Sequence, residues 1–564
     1  MILAVLLTAV GYVYLQTTPP APKLATLMPS GALLYLESPD FAHLLRDWDA
    51  SKVKADWLQS ANYSVFSRSN LFAKLQDVYG QYGQAAGYLP DLDSILGIAG
   101  TQSALALYGI RDVEFLYLSR IRESDFMKSQ LWAVRNRFEQ REAGGVSFYL
   151  RTDAASKRTV AFTFTRGFLL LGTRDDLVAQ ALELMAGEKN SGIASDRWYR
   201  DATAAASNPG ELRLVMNLES LVKSVYFRSY WIQRNAAVVR RYSAGVADIA
   251  RADGNITERR AFIGAPDAPH PQGEGSVSDL LALVPPGAGL YKASLESDSG
   301  NAAALVVQKL IAPEPQRTRD ERYAPAAVTV DGTNGSEGDL ETRIDEQPLP
   351  PDPGLSDSLA AVRAVVEKTG VRGLLLVQSS SLASGTFVQT PSVVVFQGGG
   401  NWDHDAVRTA FTTAAGKLWS TSQLGAGWTT DGSAPQLDRL DGLATLVFAN
   451  RGSLLFISND ARLLQSVLAR SGAAAPGTSY TYAAGFRHAL EFANYERVMT
   501  ALDFSSAPAT GQILFSDTSA GAPAFFSGNI ASLGHALAKL NEVSVTEEKR
   551  GDVTVQIVKY QMTR

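Results

Sequence analysis

The chain of 564 residues is too long for one hydrophobic core, because single cores stop growing at roughly 250 to 300 residues, so two or more domains are expected. A hydrophobic fraction of 46% predicts a folded protein, while a net charge of -5 argues against nucleic acid as a partner. The absence of cysteine excludes disulfides, thiolate metal ligands and a cysteine nucleophile.

An uncharged apolar segment, Ile2–Leu15, begins the chain and is followed by the proline-rich stretch Gln16–Lys23. Residues 1–22 are predicted to be a signal anchor or signal peptide with a proline-rich tether. The segment is shorter than the roughly 20 residues that cross a bilayer upright, and a buried N-terminal helix is the alternative. The prediction is a bacterial inner-membrane protein with a single N-terminal segment and its bulk in the periplasm.

The first half of the chain predicts a mixed unit of strands and helices. Strands are predicted at ALLYLE, SALALYG, VEFLYLSRI, VSFYLRT, TVAFTFT, FLLLGT and ELRLVMNL, and helices at SNLFAKLQDVYGQYGQAA, SDFMKSQLWAVRNRF and DDLVAQALELMAG. Several strands are joined by turns too short for a parallel crossover. The sheet is therefore predicted to be largely antiparallel with helices packed on one face, which is an α+β fold.

One long helix is predicted over Glu219–Ala252, where aromatic side chains alternate with arginines. Such a mixture suits a protein interface or a membrane surface, and core packing is the alternative. The candidate partner-binding residues are Tyr226, Phe227, Tyr230, Trp231, Arg234, Arg240 and Arg241.

Two phrases of the sequence, Phe164–Leu182 and Phe448–Leu468, resemble one another at an offset of 285 residues. The alignment pairs Arg166 with Arg451 and predicts the same local structure twice. A strand ends at an Arg-Gly turn, a second apolar strand follows, and a helix begins near an aspartate.

Three further matches occur in the same order. LMPSGALLY resembles LVPPGAGLY at an offset of 256, Asn217–Glu219 resembles Asn494–Glu496, and Ile256–Glu258 resembles Val545–Glu547. Four matches in one order predict two tandem related copies of the α+β unit. The predicted organisation is a tether at 1–22, a first repeat at 23–264, a linker at 265–280 and a second repeat at 281–564. The change of offset calls for about thirty extra residues in the second copy, and the acidic, proline-rich stretch 312–354 is predicted to supply them as a disordered insertion.

These motifs resemble a family of uncharacterised bacterial envelope proteins built on a domain of unknown function. In that family an N-terminal anchor precedes LPxxaxxY-type openings and dGyLlig hairpins. The residues that carry the likeness here are Pro29–Tyr35 and Arg166–Asp175, with their partners in the second copy. The resemblance implies an anchored, exported protein and supplies no catalytic residues.

Possible metal ligands gather at one place, Asp403, His404 and Asp405 in the stretch WDHDAV. A divalent-metal site is one interpretation. Helix capping is the other, and the sequence favours it because aspartate is preferred at the N-cap and in the first turn. No GxSxG nucleophile motif and no phosphate-binding P-loop occurs elsewhere in the sequence.

The sequence therefore predicts a membrane-tethered, exported protein that acts by binding or scaffolding and not by catalysis, without a cofactor. Its partners are expected to be the membrane, through the N-terminal segment, and a protein of the envelope. Two alternatives are open. One is an envelope hydrolase or metal-dependent enzyme that uses Asp403, His404 and Asp405; the other is a lipid or small-molecule carrier.

Overall fold

The computed structural model describes residues 23–562 apart from 69, 189–190, 207, 225–238, 253, 267–274, 297, 312–352, 383–387, 420–424, 432–435, 443, 493 and 495–539. Contacts divide the chain into two compact units. Apart from those gaps, unit 1 comprises 23–48, 74–231 and 242–246, and unit 2 comprises 49–73, 232–241 and 247–562. The predicted anchor and most of the predicted insertion, 312–354, lie outside the described residues.

Unit 1 contains an antiparallel sheet of eight described strands. They are β1 Leu34–Ser38, β2 Gln102–Gly109, β3 Glu114–Arg120, β4 Glu139–Ala143, β5 Val146–Thr152, β6 Thr159–Thr165, β7 Phe168–Gly172 and β8 Leu212–Met216. Their pairings give the order β8–β1–β2–β3–β7–β6–β5–β4.

The helices of the first repeat lie between these strands. They are α1 Phe41–Asp49, α2 Lys52–Gln59, α3 Ala61–Phe66, α4 Asn70–Ala86, α5 Leu92–Leu96, α6 Glu123–Phe126, α7 Gln130–Ala133, α8 Asp175–Ala186, α9 Arg197–Ala205 and α10 Leu218–Leu221. The single helix predicted over SDFMKSQLWAVRNRF is wrong. Ser129 accepts a hydrogen bond from the Trp132 N–H and starts a new helix there, which divides the segment into α6 and α7.

Unit 2 contains a longer antiparallel sheet. Its strands are β9 Tyr242–Ala252, β10 Asn255–Gly264, β11 Leu290–Leu295, β12 Val371–Gln378, β15 Ser392–Gly398, β16 Gly427–Asp431, β17 Leu437–Asp441, β18 Thr445–Arg451, β19 Leu454–Ser458, β20 Tyr482–Arg487, β21 Leu540–Arg550 and β22 Val553–Met562, with a separate small hairpin of β13 Ser381–Leu382 and β14 Val388–Gln389. The order is β9–β10–β22–β21–β20–β11–β12–β15–β19–β18–β17–β16, where β9 belongs to unit 2 from Ala247 onward.

The described helices of the second repeat are α11 Ser278–Ala282, α12 Ser299–Val306 with a π-helical continuation Val307–Ile311, α13 Pro353–Thr369, α14 His404–Trp419 and α15 Ala461–Leu468. Val277, which falls in the predicted linker 265–280, is fully buried, and α11 begins at the next residue. Gly370 follows the last residue of α13 with a φ of 72° and ends this helix.

The strand order confirms the two tandem copies. In unit 1 the order is β8–β1–β2–β3–β7–β6–β5–β4, and in unit 2 it is β20–β11–β12–β15–β19–β18–β17–β16. Each strand of the first order has its counterpart, in chain sequence, at the same place in the second. The pairing register also corrects the sequence alignment. When Tyr35 is matched to Tyr291, the successive strand pairs bring Gly172 onto Ser458, which is an offset of 286 and not 285.

Two of the shorter sequence matches are wrong. The register that joins β1 to β8 and β11 to β20 matches Met216 with Phe486, so Asn217 corresponds to Arg487 and not to Asn494. Ile256–Glu258 lies in β10, whereas Val545–Glu547 lies in β21, which is the counterpart of β9. Three-residue matches of this kind recur by chance in a chain of this length.

Helices cover both faces of the sheet in unit 2, so the prediction of one covered face is wrong there. One core contains Leu374, Leu376, Val394 and Phe396 with residues of α12, α13 and α14. The core on the opposite face contains their strand neighbours, such as Leu375 and Val395, with residues of α11 and α15. Strands buried on both faces have continuous apolar runs, as LLLV and SVVVF do here.

Helix starts support the corrected offset. The N-cap of α8 is Arg174 and the N-cap of α15 is Asp460, again 286 positions apart. Asp460 accepts a hydrogen bond from the Leu463 N–H at 2.7 Å, and we expect Asp460→Ala to lower the free energy of unfolding by about 1 kcal/mol. Urea denaturation measures the loss, and Asp460→Asn, which keeps the cap, is the control. Equal losses in both variants would contradict the capping role.

Candidate functional site

The three predicted metal ligands, Asp403, His404 and Asp405, do not act together. Asp403 is the cap of α14, since its Oδ1 accepts a hydrogen bond from the Ala406 N–H at 3.1 Å, and it also lies 3.6 Å from Lys368 Nζ. The Ala406 N–H, with a smaller contribution from the lysine, holds the pKa of Asp403 below its usual value. Asp405 is almost completely exposed. In the part of the chain that the structure describes, no three His, Asp or Glu side chains are placed to hold a metal ion.

His404 instead pairs with a residue that the sequence did not single out, Asp438 on β17. The imidazole Nε2 lies 2.5 Å from Asp438 Oδ2, and the carboxylate is fully buried. The Thr430 hydroxyl donates to Asp438 Oδ1 at 2.7 Å, and Arg408 Nη1 lies 3.7 Å from the same oxygen. The other imidazole nitrogen, Nδ1, lies 3.4 Å from Asp405 Oδ1.

The first repeat has no polar pair at this position. Asp438 pairs across the sheet with Phe448, and the equivalent pair in the first repeat is Tyr149 with Phe162, whose rings stack at 5.0 Å. The His404 ring lies 5.3 Å from Phe448. The duplicated fold thus has an aromatic pair at this place in one repeat and a hydrogen-bonded histidine and aspartate pair in the other.

The His404 and Asp438 pair lacks the geometry of a hydroxyl nucleophile and its base. The Thr430 hydroxyl donates to the carboxylate and not to the imidazole, whereas a nucleophile needs its hydrogen bond to the base. The Asp438 carboxylate is buried and has three polar neighbours, His404, Thr430 and Arg408. A buried charge needs such partners, so a structural role accounts for the arrangement.

The predicted partner-binding segment lies largely outside the described residues. Tyr226, Phe227, Tyr230, Trp231 and Arg234 fall within 225–238. Arg240 and Arg241 are exposed in the turn before β9.

The prediction of one helix over Glu219–Ala252 is wrong at both ends. The short helix α10 ends at Leu221, and residues from Tyr242 form β9. β9 forms a hairpin with β10 through a turn at Gly254, which has a φ of 77°. The partner strand, β10, begins after Ala252, so the helical spacing of residues within Glu219–Ala252 could not reveal the pairing.

A second candidate site emerges from the helices between β1 and β2. From Phe41 to Tyr82, no residue whose burial is described is buried, and Phe41 at the start of α1 is only partly buried where it packs against the core of unit 1. Five large apolar side chains in this stretch are about half exposed: Trp48 49%, Val53 46%, Leu58 44%, Leu75 53% and Tyr79 39%. Only three others in the described chain are as exposed, namely Leu89, Met127 and Leu490.

Local contacts explain why these residues are helical nevertheless. Asp40 accepts a hydrogen bond from the His43 N–H at 2.9 Å and caps α1, and Ser51 accepts one from Lys54 N–H at 3.2 Å and caps α2. A small aromatic cluster joins α2 to the helices that follow, with ring centroids 5.4 to 6.4 Å apart; its members are Trp57, Tyr63, Phe66 and Phe72.

The equivalent helices of the second repeat are core elements. α12 and α13 occupy the same place between β11 and β12, and their apolar residues, including Val306, Val362 and Val366, are fully buried. The same position in the fold therefore holds a buried helical layer once and an exposed helical segment once. The exposed segment, Phe41–Leu89, is named the exposed helical segment below.

No family model matches the chain, and no curated protein matches it. Two solved structures with similarity are described as crystal forms I and III of TP0453. Form I is 10% identical with a TM-score of 0.24 over 44% of this chain and 82% of that chain. Form III is 11% identical with a TM-score of 0.26 over 50% of this chain and 91% of that chain. Neither similarity is close enough to transfer a function, so the function is argued from this chain's own residues.

Proposed function

We propose that this protein is a membrane-tethered, exported binding protein without catalytic activity, and that the exposed helical segment contacts the membrane surface. The observation that carries the proposal is the set of half-exposed apolar side chains on the stretch Phe41–Tyr82, in which no residue of described burial is buried. Helices of eight or nine residues are marginal in water without a packed apolar face, so α1 and α2 gain stability from any surface that covers them. The localisation on the periplasmic side of a bacterial inner membrane belongs to the same proposal.

The composition of the exposed helical segment favours a lipid surface as its partner. Nine of its 49 residues are aromatic, twice the 9% of the whole chain. It contains five Lys or Arg residues against four Asp and no Glu, so it is +1 while the rest of the chain is -6. Apolar and aromatic side chains beside cations are typical of helices that lie in the membrane interface.

The N-terminal sequence keeps this segment near a membrane. Leu15 ends the predicted anchor and Leu24 begins the first described helical turn of unit 1. Nine residues span at most about 30 Å even when fully extended. A tether of that length raises the effective concentration of the helices at the bilayer, so each contact can be weak.

The expected free energy of contact between the exposed helical segment and the membrane surface is modest, but it is sufficient for a protein that is already tethered. Full burial of an apolar side chain contributes about 1.5 to 3 kcal/mol, and a half-exposed one has about half of that left to gain. Val53 and Leu58 of unit 2 contribute about 2 kcal/mol, or roughly a 30-fold preference for the interface, and Leu75 and Tyr79 of unit 1 contribute about as much.

The absence of cysteine allows a direct test in the full-length protein. Single cysteines at Leu58 and Leu75 are labelled with an environment-sensitive fluorophore, and the protein is reconstituted into vesicles that contain spin-labelled lipid. We expect quenching at both positions. Cysteines at Met127 and Leu490, which are as exposed at 48% each, are the matched controls and stay unquenched. The absence of quenching at Leu58 and Leu75 would refute membrane contact, even if the N-terminal segment anchors the protein.

Among the described residues, no helix is both long and apolar enough to cross a membrane. The proposal does not require one, because interfacial helices lie along the surface with only their apolar face inserted.

A further inference from the structure

An open cavity of about 560 Å³ lies beside the C-terminal half of α4 in unit 1. One wall is formed by Gly80, Gly83 and Gly87, and two arginines, Arg137 and Arg151, face it.

Both arginines are held in place by the end of α4. Arg151 Nη1 donates to the Gln84 carbonyl at 2.8 Å and to the Ala85 carbonyl at 3.2 Å, and Arg137 Nη1 donates to the Gly87 carbonyl at 2.8 Å. Gly87 is required for this approach. Its φ is 82°, and a Cβ there would lie 2.9 Å from Arg151 Nη1.

Each guanidinium has donors left over. A guanidinium carries five N–H groups, and the contacts with the helix end involve Nη1 alone. Across the described parts of the chain, neither Arg137 nor Arg151 has a carboxylate within 4 Å. Free planar donors on two neighbouring arginines match the oxygens of a phosphate group.

The local charge is positive. The cavity also contains Asp153, and hydrogen bonds from Ser156 hold the pKa of this carboxyl below its usual value, so it is charged. The C-terminal end of α4 adds about half a negative charge. Two guanidinium charges exceed these two contributions and leave the cavity attractive to an anion.

We propose that Arg137 and Arg151 bind a phosphate group in this cavity, and that the source of this phosphate is an anionic phospholipid. The lipid source rests on the proposed membrane contact, whereas the phosphate chemistry does not. Leu75, Tyr79 and Gly83 are spaced four residues apart and share one face of α4, so exposed apolar side chains lead along the helix to the cavity. Leu89, which is 60% exposed, lines its rim. Apolar side chains beside a phosphate-binding arginine pair suit a headgroup with its acyl chains attached.

Calorimetry of the full-length, detergent-extracted protein tests this proposal with three probes: short-chain phosphatidylglycerol, short-chain phosphatidylcholine and inorganic phosphate. We expect phosphatidylglycerol to bind, and Arg137→Gln and Arg151→Gln each to weaken it at least tenfold. Arg122→Gln is the matched control for the loss of one charge, since Arg122 is 85% exposed and pairs with Asp125, and it leaves binding unchanged. Arg137 is exposed and makes one described hydrogen bond, so Arg137→Gln reports on binding even if Arg151→Gln loses stability.

Each outcome has one meaning. Arginine-dependent binding of phosphatidylglycerol supports the proposal in full, and arginine-dependent binding of inorganic phosphate alone supports the phosphate site but overturns its lipid source. Equal binding of phosphatidylglycerol by Arg137→Gln and the unaltered protein would overturn the site and leave the arginines as caps of α4. The quenching at Leu58 and Leu75 is independent of both arginines, so its failure refutes the membrane contact separately.

Discussion

Replacing His404 by alanine is expected to lower the free energy of unfolding by about 3 kcal/mol. The change leaves the Asp438 carboxylate, which has no exposed surface, without its 2.5 Å partner. Thr430 stays bonded, but Arg408 lies 3.7 Å away and is partly exposed, so neither replaces the imidazole. An unpaired buried charge costs about 3 to 5 kcal/mol, and the lower value applies here because water can enter through the partly exposed position of His404.

A double-mutant cycle measured by urea denaturation checks this expectation. Asp438→Asn removes the buried charge, so the double variant with His404→Ala is expected to be more stable than His404→Ala alone. Asp405→Ala is the matched control, since Asp405 lies 3.4 Å from the same imidazole but is almost fully exposed, and it leaves the stability unchanged. A loss below about 1 kcal/mol in His404→Ala would show that the pair does not stabilise the fold.

In the first repeat an aromatic pair occupies the place of the His404 and Asp438 pair. There the equivalent strand position holds Tyr149, which stacks on Phe162 and meets the Trp132 ring edge-on at 6.0 Å. Aromatic pairs of this kind stabilise a core without desolvating a charge. Burial of the Asp438 carboxylate beside His404 therefore costs desolvation free energy that the fold does not require at this position. The enzyme alternative that uses Asp403, His404 and Asp405 stays a prediction; in the structure His404 contacts Asp438 at 2.5 Å and Asp405 at 3.4 Å.

The sequence predicted the duplication because its strongest signal is local. The Arg-Gly hairpin and the helix after it are determined by turn chemistry and apolar runs, which leave similar letters in both copies. Alignment by residue identity matches Arg166 with Arg451, whereas alignment by strand pairing matches Thr165 with Arg451. A shift of one residue exchanges the two faces of a strand, so register is decided by the sheet and not by similarity of letters.

Elements without an apolar pattern escaped prediction. β4, with the sequence EQREA, is almost entirely exposed and pairs with β5 alone among the described strands. Charged residues are common on edge strands because they discourage pairing with other chains. Hydrophobic periodicity therefore contains no signal for such a strand.

In the exposed helical segment, the predicted helix at α4 is confirmed, whereas α1, α2 and α3 escaped prediction although their signals are present in the sequence. Asp40 and Ser51 precede helical stretches, and the aromatic density of Phe41–Leu89 is high. What the sequence could not reveal is that these side chains lie at the surface, because the equivalent helices of the second repeat also carry apolar side chains and are buried. The buried partner of His404 could not be foreseen for a related reason, since Asp438 is 34 residues away and reaches it only through the pairing of β17 in the sheet.

The backbone amides of α13 are expected to be at least 100-fold more protected from hydrogen exchange than those of α2. α13 packs Val362, Val365 and Val366 into a core, so its amides open only when that core opens. α2 buries no residue, and the aromatic cluster around Trp57 is its described apolar support. Its amides should therefore exchange through local unfolding, close to the rate of a short helix in water.

The same measurement on vesicles connects this local instability to function. If the exposed helical segment lies in the membrane interface, protection of α2 should rise at least tenfold when the full-length protein moves from detergent-free solution to phospholipid vesicles, because the bilayer covers Val53 and Leu58. α13 is the internal control, since its core is complete without lipid and its protection should not change. Strong protection of α2 in the absence of lipid would mean that the helix is already covered, and the surface would then belong to a contact within the protein.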